Sequence, residues 1–450
     1  MKWIVPIVAI LATSCGPSPF DAPAYESPAR IPIVHERSSS SAALFAEDSV
    51  LEVEALVAAV LARNPNLEAM ERSRRAAVAR RQQATALEDP MLSYAAAPQS
   101  LADRAMRDGH EVELSQRFPW PGKLRLRGQM AEHEAYAAAH DLHTARLRLA
   151  HETRRAFYDY YFAHRAIEIN QANLDLLREF QRIAENKYAV GTAPKHDALQ
   201  ARVERLHLEH EALTLERTRR VVRAAINLLL HRSPEAQLPP PPAAVGRPHN
   251  RPQLEGLVES AVNARPELQA LAQRLESARA NRRLAAREYY PDVTVMTTYS
   301  TMWDDPEHRW MLGAGINLPL QVGRRRAAEV EALSESQRIA AELAAGVDQV
   351  AFEVAEAYEQ VVESEHVIEL YESQFLPTAR ENLDTARSGY EAAESDFLTF
   401  LTAERDQRLI ELAYQRALAE YHQSWADLRR AVGQEVTPAR SREQGDSSHD

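Results

Sequence analysis

The sequence predicts a mainly α-helical chain with a small β part, laid out as a tandem duplication of one unit. Three observations predict it. Only 14 of the 450 residues are Gly, and Ala, Leu, Arg and Glu dominate, a composition that favours long helices. Asn64-Pro65-Asn66-Leu67 is matched by Arg265-Pro266-Glu267-Leu268, and Asp89-Pro90-Met91 by Tyr290-Pro291-Asp292, both 201 positions apart (266 − 65 and 291 − 90). A repeat of that period sets the architecture. Inside each half the apolar spacing also switches from a helical period to a strand period and back.

The elements follow in order. Met1-Lys2 and the apolar run Trp3 to Ala12 form a short leader, too short to span a bilayer as a mature helix. Ala12-Thr13-Ser14-Cys15 then resembles a bacterial lipoprotein signal, with the chain's single cysteine at the cleavage point; an ordinary secretory signal with an incidental Cys15 is the plainer alternative. Residues 16–48, rich in Pro, Ser and Ala without period, read as a flexible tether. The first repeat spans 49–232. It opens with a helix whose Leu51, Leu56, Val57, Val60 and Leu61 share one face, breaks at Asn64-Pro65, and resumes from Glu68 to Ala86.

Met91 to Pro98 and His110 to Phe118 read as strands around a polar loop. In the second, Val112, Leu114 and Phe118 alternate with Glu111, Glu113, Ser115 and Arg117, and Gln116 is the one polar break in the apolar face. A Pro- and Gly-bearing turn, Phe118-Pro119-Trp120-Pro121-Gly122-Lys123, leads into a helix from Lys123 to Tyr188. At 1.5 Å per residue that helix is about 100 Å long. A second helix, His196 to Leu230, returns after a break at Gly191 and Pro194. Residues 233–252 are a Pro-rich linker. The second repeat, 253–436, gives strands with Val293, Val295 and Tyr299, then Trp310, Leu312, Ala314, Ile316 and Leu318, on their apolar faces. Its long helix, Arg324 to Ser388, carries Pro377, which should kink it; a last helix runs from Asp396 to Val432. Residues 437–450 read as a disordered tail.

Strands of about 8–10 alternating residues match those that cross an outer membrane at a tilt. Four strands cannot close a barrel, and open edges are not tolerated in lipid, so the strand count itself calls for several copies of the chain. Helices of this length likewise need neighbours side by side. The net charge of −12 argues against nucleic acid as a partner. His207 and His210 lie one turn apart with no third ligand, so no metal site or cofactor is expected. No Ser-His-Asp order, zinc spacing or phosphate loop points to an enzyme. The aromatic cluster Phe157, Tyr158, Tyr160, Tyr161 and Phe162 reads as helix packing.

Taken in order and twice over, Asn64-Pro65-x-Leu67, Asp89-Pro90, the Phe118–Lys123 turn, Tyr188-Ala-Val-Gly191 with Asp197-Ala-Leu199-Gln-Ala201, and Phe397-Leu398-Thr399-Phe400-Leu401 resemble the TolC-like outer-membrane efflux proteins, over nearly all of the mature chain. The Pro-Trp-Pro-Gly-Lys turn looks most like the heavy-metal and cation branch. The resemblance implies a homotrimer of a Gram-negative outer membrane, with a 12-stranded transmembrane β-barrel and a periplasmic α-barrel of long helical hairpins. It implies a passive duct, not an enzyme. The cargo would be metal cations or small toxic compounds, received from a periplasmic adaptor and an inner-membrane pump of RND or ABC type.

Under that resemblance the hairpin tips carry the candidate sites. Glu391, Glu394 and Asp396 are gate candidates that three copies would gather into a ring of carboxylates; the plainer reading is solvated tip residues. Thr399 and Thr402 stand where some members of the family carry Asp, and Ala392-Ala393 where a Gly is usual. Gly191, Thr192, Lys195 and Asp197 are candidate contacts for the adaptor or pump. Trp120, Trp303 and Trp310 flank strands and suit an aromatic girdle at the membrane interface, or packing at strand ends. A lipid-anchored periplasmic scaffold or adaptor is the competing function, but an adaptor would carry one hairpin flanked by small β domains, and this chain has two.

Overall fold

The computed structural model describes residues 50–97, 109–247, 253–303, 305–392 and 394–433. The leader with Cys15, the tether over 16–48 and the tail over 437–450 lie outside the described residues. In the first repeat, α1 (Val53–Arg63) and α2 (Pro65–Thr85) precede β1 (Met91–Ala96) and β2 (His110–Phe118); then come α3 (Lys123–Ala189) and α4 (Lys195–Leu229). The second repeats the order with α5 (Leu254–Ala264), α6 (Pro266–Arg287), β3 (Val293–Ser300), β4 (Trp310–Ile316), α7 (Val322–Leu370), α8 (Leu376–Glu391) and α9 (Phe397–Val432). The 67 residues of α3 make a rod of about 100 Å.

The duplication is visible in how each unit is pinned. Pro65 and Pro266 each occupy the first turn of a helix, where a missing N–H is harmless. Beside Pro65, the Asn64 side chain accepts from the Asn66 amide and donates to the Leu229 carbonyl, both at 3.0 Å. At the equivalent place Arg265 donates to the Ala431 carbonyl at 3.0 Å and to Glu353 at 2.9 Å. Different side chains therefore satisfy the same end-of-helix carbonyls in the two halves. Leu56, Leu67 and Leu149 sit in the first core, and Leu257, Leu268 and Val350, each 201 positions on (257 − 56), sit in the second. Phe157, Tyr160 and Tyr161 are buried core residues. A third core, formed by Leu177, Phe180, Leu208, Tyr390, Phe397 and Phe400, joins the two hairpins near their tips.

Two expectations take a more definite form. The disruption at Pro377 is a π-helical turn over Tyr371–Phe375, closed by the Leu376 amide on the Tyr371 carbonyl five residues back. An uninterrupted α-helix would press the proline ring on the carbonyl of Ser373, and the wider turn removes that clash. The described part of the Pro-rich linker lies along the helices as a strap. Pro240 accepts from the Leu51 amide at 2.9 Å, Ala236 from Asn227 at 2.8 Å, and Ala243 from Arg165 at 3.1 Å.

The four strands form one antiparallel sheet in the order β1-β2-β3-β4, so the two repeats meet edge to edge at β2–β3. The register sets Tyr94, Val112, Tyr299 and Trp310 in one row and Leu92, Leu114, Thr297 and Leu312 in the next. The residues read as apolar strand faces thus fall on one side of one sheet, except Leu318, which lies beyond the end of β4. That side is open: Leu312 is 82% exposed and Leu92 70%. The outer edges of β1 and β4 have no strand partner among the described residues.

Candidate functional site: the sheet, its junction with the helices, and the hairpin tips

The sheet meets the helices through one buried ion cluster. Lys123, the first residue of α3, is 1% exposed. Its ammonium donates to Asp292 at 2.8 Å, to the Tyr290 carbonyl at 3.0 Å and to Glu288 at 3.3 Å. Asp292 also accepts from Arg117 at 2.7 Å and from the Trp120 amide at 2.9 Å, and its own amide donates to Asn317 at 2.5 Å. Burial alone would raise the Asp292 carboxyl; the donors from Lys123, Trp120 and Arg117 outweigh it and hold the pKa at about 2. The cluster ties the turn of the first repeat to the strand entry of the second. It also explains the Trp-Pro-Gly-Lys sequence. Trp120 stacks on Tyr290 with ring centres 5.3 Å apart. Gly122 caps α3 at φ +94°, and a Cβ there would come within 2.7 Å of the Arg287 guanidinium that bonds the Pro121 carbonyl.

The three tryptophans mark opposite ends of the sheet. Trp120 lies half-buried at the helix end, where Phe118 pairs with Val293. Trp303 and Trp310, 50% and 67% exposed, lie at the other end, where Trp310 pairs with Tyr299.

The two tips come together. Lys187 donates to the Tyr390 carbonyl at 2.7 Å and places its ammonium 4.0 Å over the Tyr390 ring. Phe180 stacks on Phe400 at 3.9 Å, and Tyr390 meets Phe397 edge-on at 5.3 Å. The repeat-related tyrosines therefore differ: Tyr188 is exposed and Tyr390 buried. At the first tip Gly191 ends the turn at φ +78°, the Thr192 amide bonds the Lys187 carbonyl at 2.8 Å, and Gly191, Thr192 and Lys195 are exposed. Asp197 is half-buried; burial and the nearby Asp396 carboxylate push its carboxyl up.

At the second tip the three carboxylates have different surroundings. Asp396 caps α9, accepting from the Thr399 amide at 2.8 Å and hydroxyl at 2.5 Å, and these bonds hold its pKa down. Glu391 pairs with Arg387 at 3.1 Å. Glu394 is exposed, and its carboxylate has no partner among the described residues. Sequence reasoning missed Lys187 and Tyr390 as a brace; Lys187 immediately precedes the Tyr188–Gly191 motif and Tyr390 immediately precedes Glu391. It also missed Glu404, fully buried on α9. Among the described residues no group of three or more His, Cys, Asp or Glu side chains is placed to hold a metal ion, and no helix is long and apolar enough to cross a membrane.

The model of one family, the outer membrane efflux proteins, matches residues 56–230 and again 257–434, two starts separated by the same 201 positions (257 − 56). The chain belongs to the outer membrane efflux protein family. Among curated relatives this efflux protein is 25% identical to the outer membrane protein OprJ of Pseudomonas aeruginosa over 344 residues, 72% of this chain and 68% of OprJ. Its fold is that of the outer membrane protein VceC of Vibrio cholerae (TM-score 0.72, 21% identity, 85% of this chain and 96% of that one). It also matches the open state of the MtrE outer membrane channel of Neisseria gonorrhoeae (TM-score 0.71, 18% identity, 86% and 90%). The efflux protein thus pairs a mostly helical body with a four-stranded antiparallel sheet, as the repeat predicts.

Proposed function

We propose that this efflux protein is a passive duct, without enzymatic chemistry, built from three copies in the outer membrane of a Gram-negative cell. The observation that carries this reading is the open sheet, with an exposed apolar face and two edges that have no strand partner among the described residues, a surface that is stable in lipid only when further strands close it. Two copies would give eight strands, a barrel filled by its own side chains. Three give twelve, the smallest closed number that leaves a lumen. The helices support the same assembly. Leu199, Val203, Leu206, Leu213, Val221 and Leu228 form an exposed apolar stripe along α4 at the 3.6-residue helical period, suited to a helix of the next copy. Trp303 and Trp310 mark one membrane interface, with the helices on the periplasmic side and a lipid on Cys15 as a second anchor.

The cargo passes from an adaptor and an inner-membrane pump of RND or ABC type to the outside. The first tip, with Gly191, Thr192 and Lys195 exposed, is offered to those partners. Metal cations and small toxic compounds are the cargo classes that the Pro-Trp-Pro-Gly-Lys resemblance favours. The test is assembly and conductance. Unboiled protein from detergent-extracted outer membrane should migrate as a trimer that heating dissociates, and should form ohmic pores in planar bilayers. A soluble monomer without conductance would overturn the duct.

The tip geometry divides the gate candidates. Glu391→Gln with Glu394→Gln is expected to reduce cation selectivity without loss of stability, since neither carboxylate is buried. Asp396→Ala is expected instead to weaken the tip by about 1 kcal/mol through the lost cap. Reversal potentials in a salt gradient and urea titration of the trimer separate the two outcomes.

A further inference from the structure

The side of the sheet turned away from the apolar face carries a residue type that a simple water-filled pore does not need. On the registered strands these positions are 91, 93 and 95; 111, 113, 115 and 117; 294, 296, 298 and 300; and 311, 313 and 315. Three of these fourteen are methionines: Met91, Met296 and Met311. The chain has eight methionines in 450 residues, a frequency that would place fewer than one among fourteen positions. The sixteen positions on the apolar face hold none. Methionines present only as apolar filler belong on the lipid side of such a strand; here all three stand among Ser, Thr, Glu, Gly and Ala95, with one cation on the face, Arg117, already paired to Asp292 at 2.7 Å.

The sheet also makes room for one of them. A Cβ at Gly313 would lie 3.0 Å from Met296 Cγ, and one at Gly315 3.4 Å from Met296 Cε. Two successive inward positions of β4 are thus left bare where the Met296 thioether lies. Met91 shares a register row with Met296 through Ser115, and Met311 lies in the next row, opposite Thr298. Met91 and Met311 are exposed. Glu111 and Glu113 stand on the same face, and neither carboxylate has a hydrogen-bond or ion-pair partner among the described residues. Thioether sulfur is a soft, polarizable ligand that selects Cu(I)-like cations over hard ones, and carboxylates raise the local concentration of cations in a pore.

We propose that this face is a transit site for thiophilic monovalent metal cations, with Met91, Met296 and Met311 as exchangeable ligands and Glu111 and Glu113 as the attracting charge. The inference rests on the duct reading and names a cargo for it. Ligands spread over two rows, repeated around three copies, hold an ion weakly at several places, and conduction requires such weak multi-site binding.

The test is block by silver nitrate of the potassium nitrate current through the full-length trimer in planar bilayers, after N-ethylmaleimide treatment to silence thiols. Micromolar silver is expected to reduce the current, and Met91→Leu/Met296→Leu/Met311→Leu to weaken the block at least about tenfold, the lower end of what disturbing a metal site costs. The potassium current itself should stay unchanged. Met311→Leu alone, at an exposed position, should give a partial shift and guards against misfolding of the triple variant. Equal block in wild type and variants, or none in either, overturns the site while leaving the duct standing. Block by tetraphenylphosphonium with none by silver assigns the face to organic cations and also overturns it. Absence of any current overturns the duct and this site with it.

Discussion

Replacing Asp292 by Ala is expected to destabilise the chain by about 3–5 kcal/mol, the range for removing one partner of a buried pair. The reason is the ammonium it leaves behind. Lys123 is 1% exposed, and without Asp292 it keeps only the Tyr290 carbonyl and a longer contact to Glu288. The Trp120 amide and Arg117 lose their acceptor as well. Lys123→Met with Asp292→Ala should recover much of the loss, because neither charge then remains buried. The four-member cycle, read by urea titration in detergent, isolates the coupling. Additive single effects would mean that the junction is held by packing, with the Trp120–Tyr290 stack as the next candidate.

The same carboxyl fixes a pH dependence. Its pKa is about 2 in the folded chain against an ordinary 3.8, a difference worth roughly 2 kcal/mol. A depressed carboxyl contributes stability above the unfolded value and loses it as pH falls through the folded one. Wild type should therefore lose that increment between pH 3.8 and about 2, and Asp292→Asn should lack this part of the acid transition.

The strands were legible because alternation is a nearest-neighbour property: Val112, Leu114 and Phe118, then Trp310, Leu312 and Ile316, declare their face without reference to anything distant. The helix breaks at Asn64-Pro65 and Gly191 were legible for the same reason, since proline and glycine act on their own backbone. Whatever depends on a partner far along the chain was not. Lys123 reads as a polar residue at a helix start until Asp292, 169 positions away, is found beside it. Tyr188 and Tyr390 match in sequence, yet only Tyr390 is enclosed, by aromatic residues of both hairpins. Asp396 carried a local sign of its cap, Thr399 three residues on, although its acidic neighbours drew the eye to a gate. Glu404 was hidden most completely, as one of five acids interspersed with five arginines along α9.

Glu404→Gln is expected to stabilise the joint between the hairpins at neutral and alkaline pH while leaving it unchanged in acid. Glu404 follows Phe397, Phe400 and Leu401 along the inward stripe of α9, is 0% exposed, and has no hydrogen-bond partner on either carboxylate oxygen. The charges around it are already balanced. Glu204 of α4, itself buried, takes Arg405 at 2.6 Å and Arg408 at 3.7 Å, and Arg408 reaches Glu211 at 2.8 Å. A further carboxylate would be an uncompensated buried charge. Burial, and secondarily Glu204, therefore push its pKa to about 7 against the pull of Arg408 and Arg405. Below 4.5 the group is protonated whether folded or unfolded and contributes nothing. Between 4.5 and about 7 only the unfolded chain ionises, so stability falls as pH rises; above about 7 the loss is constant. The shift corresponds to roughly 3 kcal/mol, a large share of the stability of one joint between two hairpins. Hydrogen exchange over residues 397–411 should quicken from pH 5 to pH 8 in wild type, after correction for the intrinsic rate, and stay level in Glu404→Gln. Parallel profiles in the two proteins would show that the acid is ionised and paired at every pH. The layer of Glu204, Arg405 and Arg408 would then be a fixed brace, and the pH sensitivity of the tip would have to come from Asp197 and Asp396 beyond it.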